Sequence, residues 1–283
     1  MKLHSFSSHK EFKTRVFDFL LENEAENCLL LGLLGGMESN PGRYPVAYFW
    51  AVTSNDKVVG AAWMTPPFPL GLTTMPPEGL ALLRDAVREI SHQPSQVIGP
   101  NEGSLQFKTL WAKLDRSHIK SPKMAQRIFQ LTEVLPPRKT TGLMRVATEN
   151  DLDLLIDWNI RFAQDCGMSY DPSSAKSSAK DDAVRAINRK NRHLWCIDGE
   201  PVAMASADGK TPRGIRISWV YTPNKFRGRG YASAAVAELS QKMLDEGRDF
   251  CFLYTDLANP TSNSIYQKIG YKPVSDSALY DLQ

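Results

Sequence analysis

The chain has 283 residues, 42% apolar and 23% charged, which is enough apolar material for two compact cores. A formal charge of +3 and an isoelectric point near 8.6 are too mild for a polybasic membrane protein or a general nucleic-acid binder, so any anion site must be local. The four cysteines, Cys28, Cys166, Cys196 and Cys251, form no CxxC pair and stand near no histidine pattern suited to zinc, so no metal is expected and reduced thiols in a cytoplasmic protein fit best.

The opening Met1-Lys2-Leu3-His4-Ser5-Phe6 lacks the apolar stretch of a signal peptide, and the best apolar run, residues 29–37, is too short to span a bilayer. After a short strand, residues 11–34 carry apolar side chains at helical spacing. Strands over 47–52 and 58–64 then flank the turn-forming Thr53-Ser54-Asn55-Asp56-Lys57. A helix over 79–90, a strand over 96–98 and a helix over 104–114 follow. The clearest break is Pro136-Pro137-Arg138-Lys139-Thr140-Thr141-Gly142, because two prolines and a glycine interrupt regular structure. It predicts a domain at 1–135, a linker at 136–142 and a second domain at 143–283.

The second half repeats the order of the first. A helix over 150–162 leads to strands over 193–197 and 201–207 around Asp198-Gly199-Glu200, a hairpin signal. A helix over 232–245, a strand over 250–256 and a short helix over 260–269 complete it. In this register Trp111 matches Tyr266 and Lys113 matches Lys268. A tandem duplication is the expectation; chance similarity between two α/β domains is the alternative. Residues 166–182, rich in serine and lysine with weak periodicity, read as a loop, either a plain surface connection or a cover over a substrate site.

The most informative stretch begins with a β-rich run, Ile217-Ser218-Trp219-Val220-Tyr221-Thr222, and continues through Pro223 to Arg227-Gly228-Arg229-Gly230-Tyr231-Ala232. Ala232, Ala235, Val236, Leu239 and Met243 then recur at helical spacing. The order is strand, glycine turn, helix. The first N–H groups of such a helix, up to Ser233, have no intrahelical acceptor, and the helix dipole adds partial positive charge there. Gly228 and Gly230 let the backbone approach a pyrophosphate closely. Lys210, Arg213, Arg216, Lys225, Arg227 and Arg229 span this region with no acidic residue among them, a field suited to CoA or to a nucleic-acid backbone. Neither GxGxxG nor GxxxxGK[ST] is present, so a dinucleotide fold and a P-loop are not indicated.

A second motif follows. Phe250-Cys251-Phe252-Leu253-Tyr254 is a continuous apolar run, as in a strand covered on both faces. Beyond Asp256, Asn259 suits an N-cap, Pro260 the first helical position, and Gly270 the residue just past the end. On that helix Asn259, Asn263 and Tyr266 share a face, while Ile265 and Ile269 form a separate apolar stripe. One stripe is expected to face the core and the other a ligand.

Together these stretches resemble the acyl-CoA motifs of the GNAT superfamily over residues 143–283. Arg227, Gly230 and Ala232 fill the three places of a basic or Gln residue, a Gly, and a Gly or Ala, and the run from Asn259 to Tyr271 resembles the family's Asn, aliphatic-Tyr and Gly-aromatic pattern. The resemblance implies an α/β (α+β) fold of two tandem GNAT-like domains. Each would be a mixed, mostly antiparallel sheet flanked by helices, with a splayed strand pair in the C-terminal domain. It also implies acetyl transfer from acetyl-CoA to a primary amine by direct attack in a ternary complex. Val220, Tyr221 and Thr222 would meet the pantetheine arm through their backbone. Gly228, Arg229, Gly230, Tyr231, Ala232 and Ser233 would hold the diphosphate beside Arg227, with Asn259 and Asn263 against the CoA arm. Tyr266 would protonate the leaving thiolate, a role that stands against simple packing.

For the base, Asp256 and Asp165 are candidates, and each also fits a solvated surface acid. The first half lacks the basic glycine turn: its helix follows Met75-Pro76-Pro77-Glu78-Gly79, and Trp111 cannot lend an acidic proton. It is expected to be GNAT-like but inactive, shaping the amine pocket. The partner is a small-molecule or peptide amine, with no nucleic acid and no membrane, in a monomer or homodimer. The rival readings are a non-catalytic acyl-CoA sensor and a nucleic-acid binder.

Overall fold

The computed structural model describes residues 1–40, 42–112, 121–167 and 173–282. In the N-terminal part β1 (Lys2–Phe6) leads to α1 (His9–Glu22) and α2 (Cys28–Ser39). The expected single helical stretch over 11–34 is therefore two helices. The Asn27 side-chain amide donates at 3.1 Å to the carbonyl of Leu20, in the last turn of α1, where carbonyls are left without intrahelical donors once the helix stops. Ser8 caps α1 by accepting from the Lys10 N–H at 3.2 Å, and Phe12, Val16 and Leu20 bury at four-residue spacing.

β2 (Tyr48–Ser54) and β3 (Lys57–Met64) form a hairpin. Its two turn residues, Asn55 and Asp56, both lie in the left-handed region at φ 51° and 60°, as a tight hairpin requires. β4 (Leu70–Leu72), α3 (Pro77–Glu89), β5 (Gln96–Pro100), α4 (Asn101–Ala112) and β6 (Met124–Leu131) follow. The matching of Lys113 to Lys268 lies outside the described residues.

The C-terminal part contains β7 (Leu143–Val146), α5 (Leu152–Asp165), α6 (Ala175–Asn188), β8 (Arg192–Ile197), β9 (Glu200–Asp208), β10 (Gly214–Tyr221), α7 (Tyr231–Asp245), β11 (Phe250–Asp256), α8 (Pro260–Ile269) and β12 (Lys272–Asp281). The expected loop over 166–182 is corrected in its second part, where α6 begins at Ala175. Its buried positions are Ala179, Ala183 and Ala186, and alanines at helical spacing leave little apolar contrast against serine and lysine.

Contacts divide the chain into two compact units: Met1–Phe129 with Tyr254–Pro260 and Pro273–Gln283, and Gln130–Leu253 with Thr261–Lys272. These units differ from the expected contiguous domains at 1–135 and 143–283, because β12 belongs with the first unit. It pairs antiparallel with β5 from Ser277↔Pro100 to Asp281↔Gln96. Without it β5 would present an open edge.

In the first unit the strands run in the order β1-β2-β3-β4-β5-β12, with β4 and β5 parallel and the other neighbours antiparallel. Strand alternation sends Phe49 and Ala51 into a core with α1 and α2, and Trp50 and Val52 into another with α3 and α4. The second unit runs β11-β10-β9-β8-β7, with only β10 and β11 parallel. There Leu194, Cys196 and Met204 pack with α5 and α6, while Trp195 and Ala203 pack with α7. Each unit is thus a mixed, mostly antiparallel sheet with helices on both faces. Among the described residues no helix is long and apolar enough to cross a membrane.

Candidate functional site

β10 and β11 pair only from Gly214↔Phe250 to Arg216↔Phe252. On its other side β10 stays with β9 through Ser218↔Ser206, and the register then slips so that Tyr221 stands opposite Met204. The slip is a bulge around Trp219, whose φ is 52°. A bulge bends its strand and sharpens the local twist, so β10 parts from β11 and leaves the main chain of residues 217–222 unpaired on that side. The two parallel strands are splayed.

A bulky residue at positive φ costs of order 1–3 kcal/mol and persists only where its neighbours hold it. The Arg192 guanidinium lies 4.5 Å from the Trp219 ring centroid, and the Phe162 ring 5.0 Å away. Arg192 is itself buried and donates to Asn159 Oδ1 at 3.0 Å. The Trp158 ring meets Tyr221 at 5.8 Å. Trp158, Phe162 and Asp165 stand at i, i+4 and i+7 on α5, one face of that helix.

The third member of this stripe reaches the glycine turn. Arg227 donates to the Asp165 carboxylate and, at 2.9 Å through Nε, to the Thr222 carbonyl. Asp165, one of the two acids considered as a base, thus braces the turn. The other, Asp256, accepts from the Ala258 N–H at 2.8 Å and so closes the turn after β11.

Gly228 and Gly230 adopt φ of 77° and 83°, and Gly230 is the N-cap of α7 with no side chain capping it. The Ala234 N–H bonds the Gly230 carbonyl at 3.0 Å, so the N–H groups of Tyr231, Ala232 and Ser233 precede the helical ladder and lack intrahelical acceptors. Residues 228–230 are exposed. A Cβ on Gly228 would meet nothing within 4 Å. The turn is therefore an open set of main-chain donors at a helix N-terminus beside Arg229, and such a set favours an anion.

Tyr266 is buried, 8% exposed, and its ring meets Tyr271 at 6.0 Å and a steep angle. Burial raises its phenol pKa well above the usual tyrosine value, and the neighbouring Cys166 raises it further. The phenol therefore holds its proton throughout the physiological range. The expectation of a ligand-facing stripe distinct from the core stripe is modified here. Tyr266 is buried, as Ile269 is, whereas Asn259 is exposed and Asn263 half-buried. Val220 and Thr222 are half-buried, and Tyr221 is buried.

In the first unit α3 begins with Pro76 as N-cap, Pro77 and the acidic Glu78. A proline lacks the N–H that an anion would use, and a carboxylate repels it. Trp111 packs there on Phe107, with the Arg88 guanidinium 5.5 Å from its ring. Among the described residues no group of three or more His, Cys, Asp or Glu side chains is placed to hold a metal ion.

Sequence reasoning missed the Trp219 bulge and its support by Arg192 and Phe162. The α5 stripe was visible as a spacing, but nothing local to it named Tyr221, Trp219 and Arg227 as partners.

Residues 155–271 match the family model described as Acetyltransferase (GNAT) family. No curated protein sequence matches the chain. Among solved structures, a Drosophila protein is similar with a TM-score of 0.65 at 12% identity, over 99% of this chain and 98% of that one. An acetyltransferase from the GNAT family of Colwellia psychrerythraea is similar with a TM-score of 0.60 at 13% identity, over 100% of both chains. A tandem GNAT protein from the clavulanic acid biosynthesis pathway is similar with a TM-score of 0.57 at 14% identity, over 100% of this chain and 99% of that one. At these identities the likeness is one of fold, and it extends through both units.

Proposed function

We propose that the protein is an N-acetyltransferase that moves an acetyl group from acetyl-CoA to a primary amine, a reading supported by the match of residues 155–271 to the GNAT acetyltransferase family model and by a fold similar to that of a tandem GNAT protein. The observation that carries this reading is the uncapped run of amides from Gly228 to Ser233, exposed at residues 228–230 and set at the end of a strand that a bulge has parted from its neighbour. In this reading the diphosphate is held by those amides with Arg229 beside them. Arg227 braces the turn through Asp165, and the backbone of Val220, Tyr221 and Thr222 pairs with the pantetheine arm. Asn259 and Asn263 flank that arm.

The transfer proceeds in a ternary complex. The amine nitrogen adds to the thioester carbonyl, the C–S bond breaks with its electron pair on sulfur, and Tyr266 gives its phenolic proton to the thiolate. The proton lost by the amine passes to water and restores the phenol. A phenol of pKa about 10 and a thiol near 8.5 make this transfer mildly uphill. Burial of Tyr266 makes it steeper unless the thiolate is held in the same apolar setting, where its own proton affinity rises too. Asp165 and Asp256 are both engaged in holding turns, so this reading uses neither as the base.

The acyl-CoA sensor remains a second reading, and the burial of Tyr266 favours it. One assay separates them: release of free thiol from acetyl-CoA across a panel of amino acids, polyamines, aminoglycosides and peptide N-termini. Turnover with any of these that falls in Tyr266→Phe supports the enzyme. Tight acetyl-CoA binding with no thiol release from any amine supports the sensor and removes the enzyme.

A further inference from the structure

β10 carries a further polar group to the point where it leaves β11. Arg216↔Phe252 is the last pair of those two strands, and Ser218 is the next residue whose side chain lies on the same face as Arg216. On β9, Ser206 stands opposite Ser218 and Asp208 opposite Arg216. Both alternate with Met204, which packs with α5 and α6, so all of these side chains share the face those helices cover. α7, which follows the glycine turn, packs on the other face through Trp195 and Ala203. Ser218 is half-buried and directly precedes the Trp219 bulge.

Three of these side chains are linked. Asp208 Oδ1 accepts from Arg216 Nε at 2.8 Å and lies 2.8 Å from Arg216 Nη2. Asp208 Oδ2 accepts from the Ser218 hydroxyl at 2.8 Å. Both carboxylate oxygens are thus engaged, and Arg216 fixes the plane of the carboxylate. A serine hydroxyl has one hydrogen and two lone pairs. With its hydrogen committed to Asp208, Ser218 can only accept from a further group. Among the described residues no group donates to it, and the buried Ser206 hydroxyl opposite has no hydrogen-bond partner. An amine N–H suits such an oxygen, whereas a carbonyl oxygen brings it no hydrogen.

We propose that Ser218 is a catalytic residue of the transfer, its oxygen accepting a hydrogen bond from the attacking amine and aiming the nitrogen at the thioester carbonyl. Asp208 is the positioning residue that turns the hydroxyl hydrogen away from the amine, and Arg216 holds Asp208. This inference rests on the acetyltransferase reading, in which the pantetheine arm follows β10 from the glycine turn to the apex of the splay. From Thr222 back to Ser218 that path is about 13 Å of strand. An amine that meets the thioester from the face away from α7 arrives at Ser218. A neutral primary amine has two N–H groups and one lone pair, so donating one hydrogen leaves the lone pair free to attack. Fixing its direction removes part of the entropic barrier, and Ser218 takes no proton in the step.

The test follows thiol release from acetyl-CoA with glycine, spermidine, kanamycin and the tripeptide Ala-Gly-Gly, beside calorimetric titration of acetyl-CoA. With whichever amine the wild type turns over fastest, Ser218→Ala should lower kcat about tenfold, with acetyl-CoA affinity close to wild type. Ser218→Thr, which keeps the hydroxyl on a side chain suited to a strand, should retain most of the rate. Asp208→Asn should lower kcat by a smaller factor, about threefold. Combined with Ser218→Ala it should cost nothing more, because Asp208 acts only through Ser218. Four results overturn the proposal and leave the acetyltransferase reading standing: wild-type kcat in Ser218→Ala, no recovery in Ser218→Thr, losses that multiply in the double variant, or slow turnover explained by weaker acetyl-CoA binding. Absence of thiol release from the wild type with every amine overturns that reading and the proposal together. The Ser218 variants decide the matter even where Asp208→Asn does not fold.

Discussion

The Arg227 guanidinium donates to the Asp165 carboxylate, so the arginine of the glycine turn is tied to the last turn of α5 rather than left in solvent. The two side chains are 49% and 43% exposed, and an ion pair at that exposure contributes no more than about 1 kcal/mol to stability. Its effect should therefore appear in binding. Asp165→Asn is expected to raise the KM for acetyl-CoA about threefold to tenfold with kcat nearly unchanged, and urea unfolding to move by less than about 1 kcal/mol. A fall in kcat at constant KM would instead make Asp165 a participant in proton transfer.

Tyr266→Phe removes one hydroxyl and keeps the ring against Tyr271. If the hydroxyl is the proton donor, kcat should fall by about a hundredfold or more, with acetyl-CoA affinity and Tm close to wild type. The protonated phenol is the active form and burial raises its pKa, so the tyrosine-dependent rate should persist to a pH above the ordinary tyrosine value of about 10. A rate equal to wild type at every pH would leave Tyr266 a packing residue only.

Gly230 holds φ at 83° in the N-cap of α7. A side chain there costs about 1–2 kcal/mol. Gly230→Ala should lower the unfolding free energy read from urea denaturation by that amount and weaken acetyl-CoA binding roughly tenfold, since the amides of Tyr231 and Ala232 would no longer be presented in the same geometry. Calorimetry beside denaturation separates the two effects.

His193 is buried on β8, and its pKa is brought down to about 4, chiefly by burial and further by the charge of Lys242, with the Asn191 backbone offsetting part of the shift. In the unfolded chain a histidine titrates near 6.5. Between about pH 6.5 and 4 the unfolded state therefore binds a proton that the folded state does not, and stability falls as pH falls through that window. From pH 7.5 to pH 5 the loss from this one group is roughly 2 kcal/mol. His193→Leu should remove most of that slope in urea midpoints taken at the two pH values, and an unchanged slope would assign the acid sensitivity to other groups.

Several features were legible before any fold was known. The hairpin at Asp198 and Gly199 and the bounds of α8 at Pro260–Ile269 lie where turn and cap chemistry put them. The glycine turn before α7 also lies where the motif placed it. The family's splayed strand pair was expected on resemblance. Its cause, the bulge at Trp219, was not read, because Trp219 looks like any other aromatic in a β-rich run and its positive φ depends on Arg192 and Phe162 reaching it from β8 and α5. α6 was missed for a different reason: its buried face is made of alanines, whose apolar signal is weak.

What the sequence by itself determined was therefore whatever rests on local backbone chemistry: glycines that tolerate positive φ, an asparagine and a proline that start a helix, and apolar periodicity that sets each element. What only the tertiary structure decided were pairings between residues far apart in the chain. β12 completes the sheet beside β5, Asp165 braces Arg227, and Tyr266 sinks into the core instead of lining an open groove. The physical reason is that a strand edge, a carboxylate or a phenol carries no local mark of its eventual partner, and the choice is made by which surfaces the packed elements bring together.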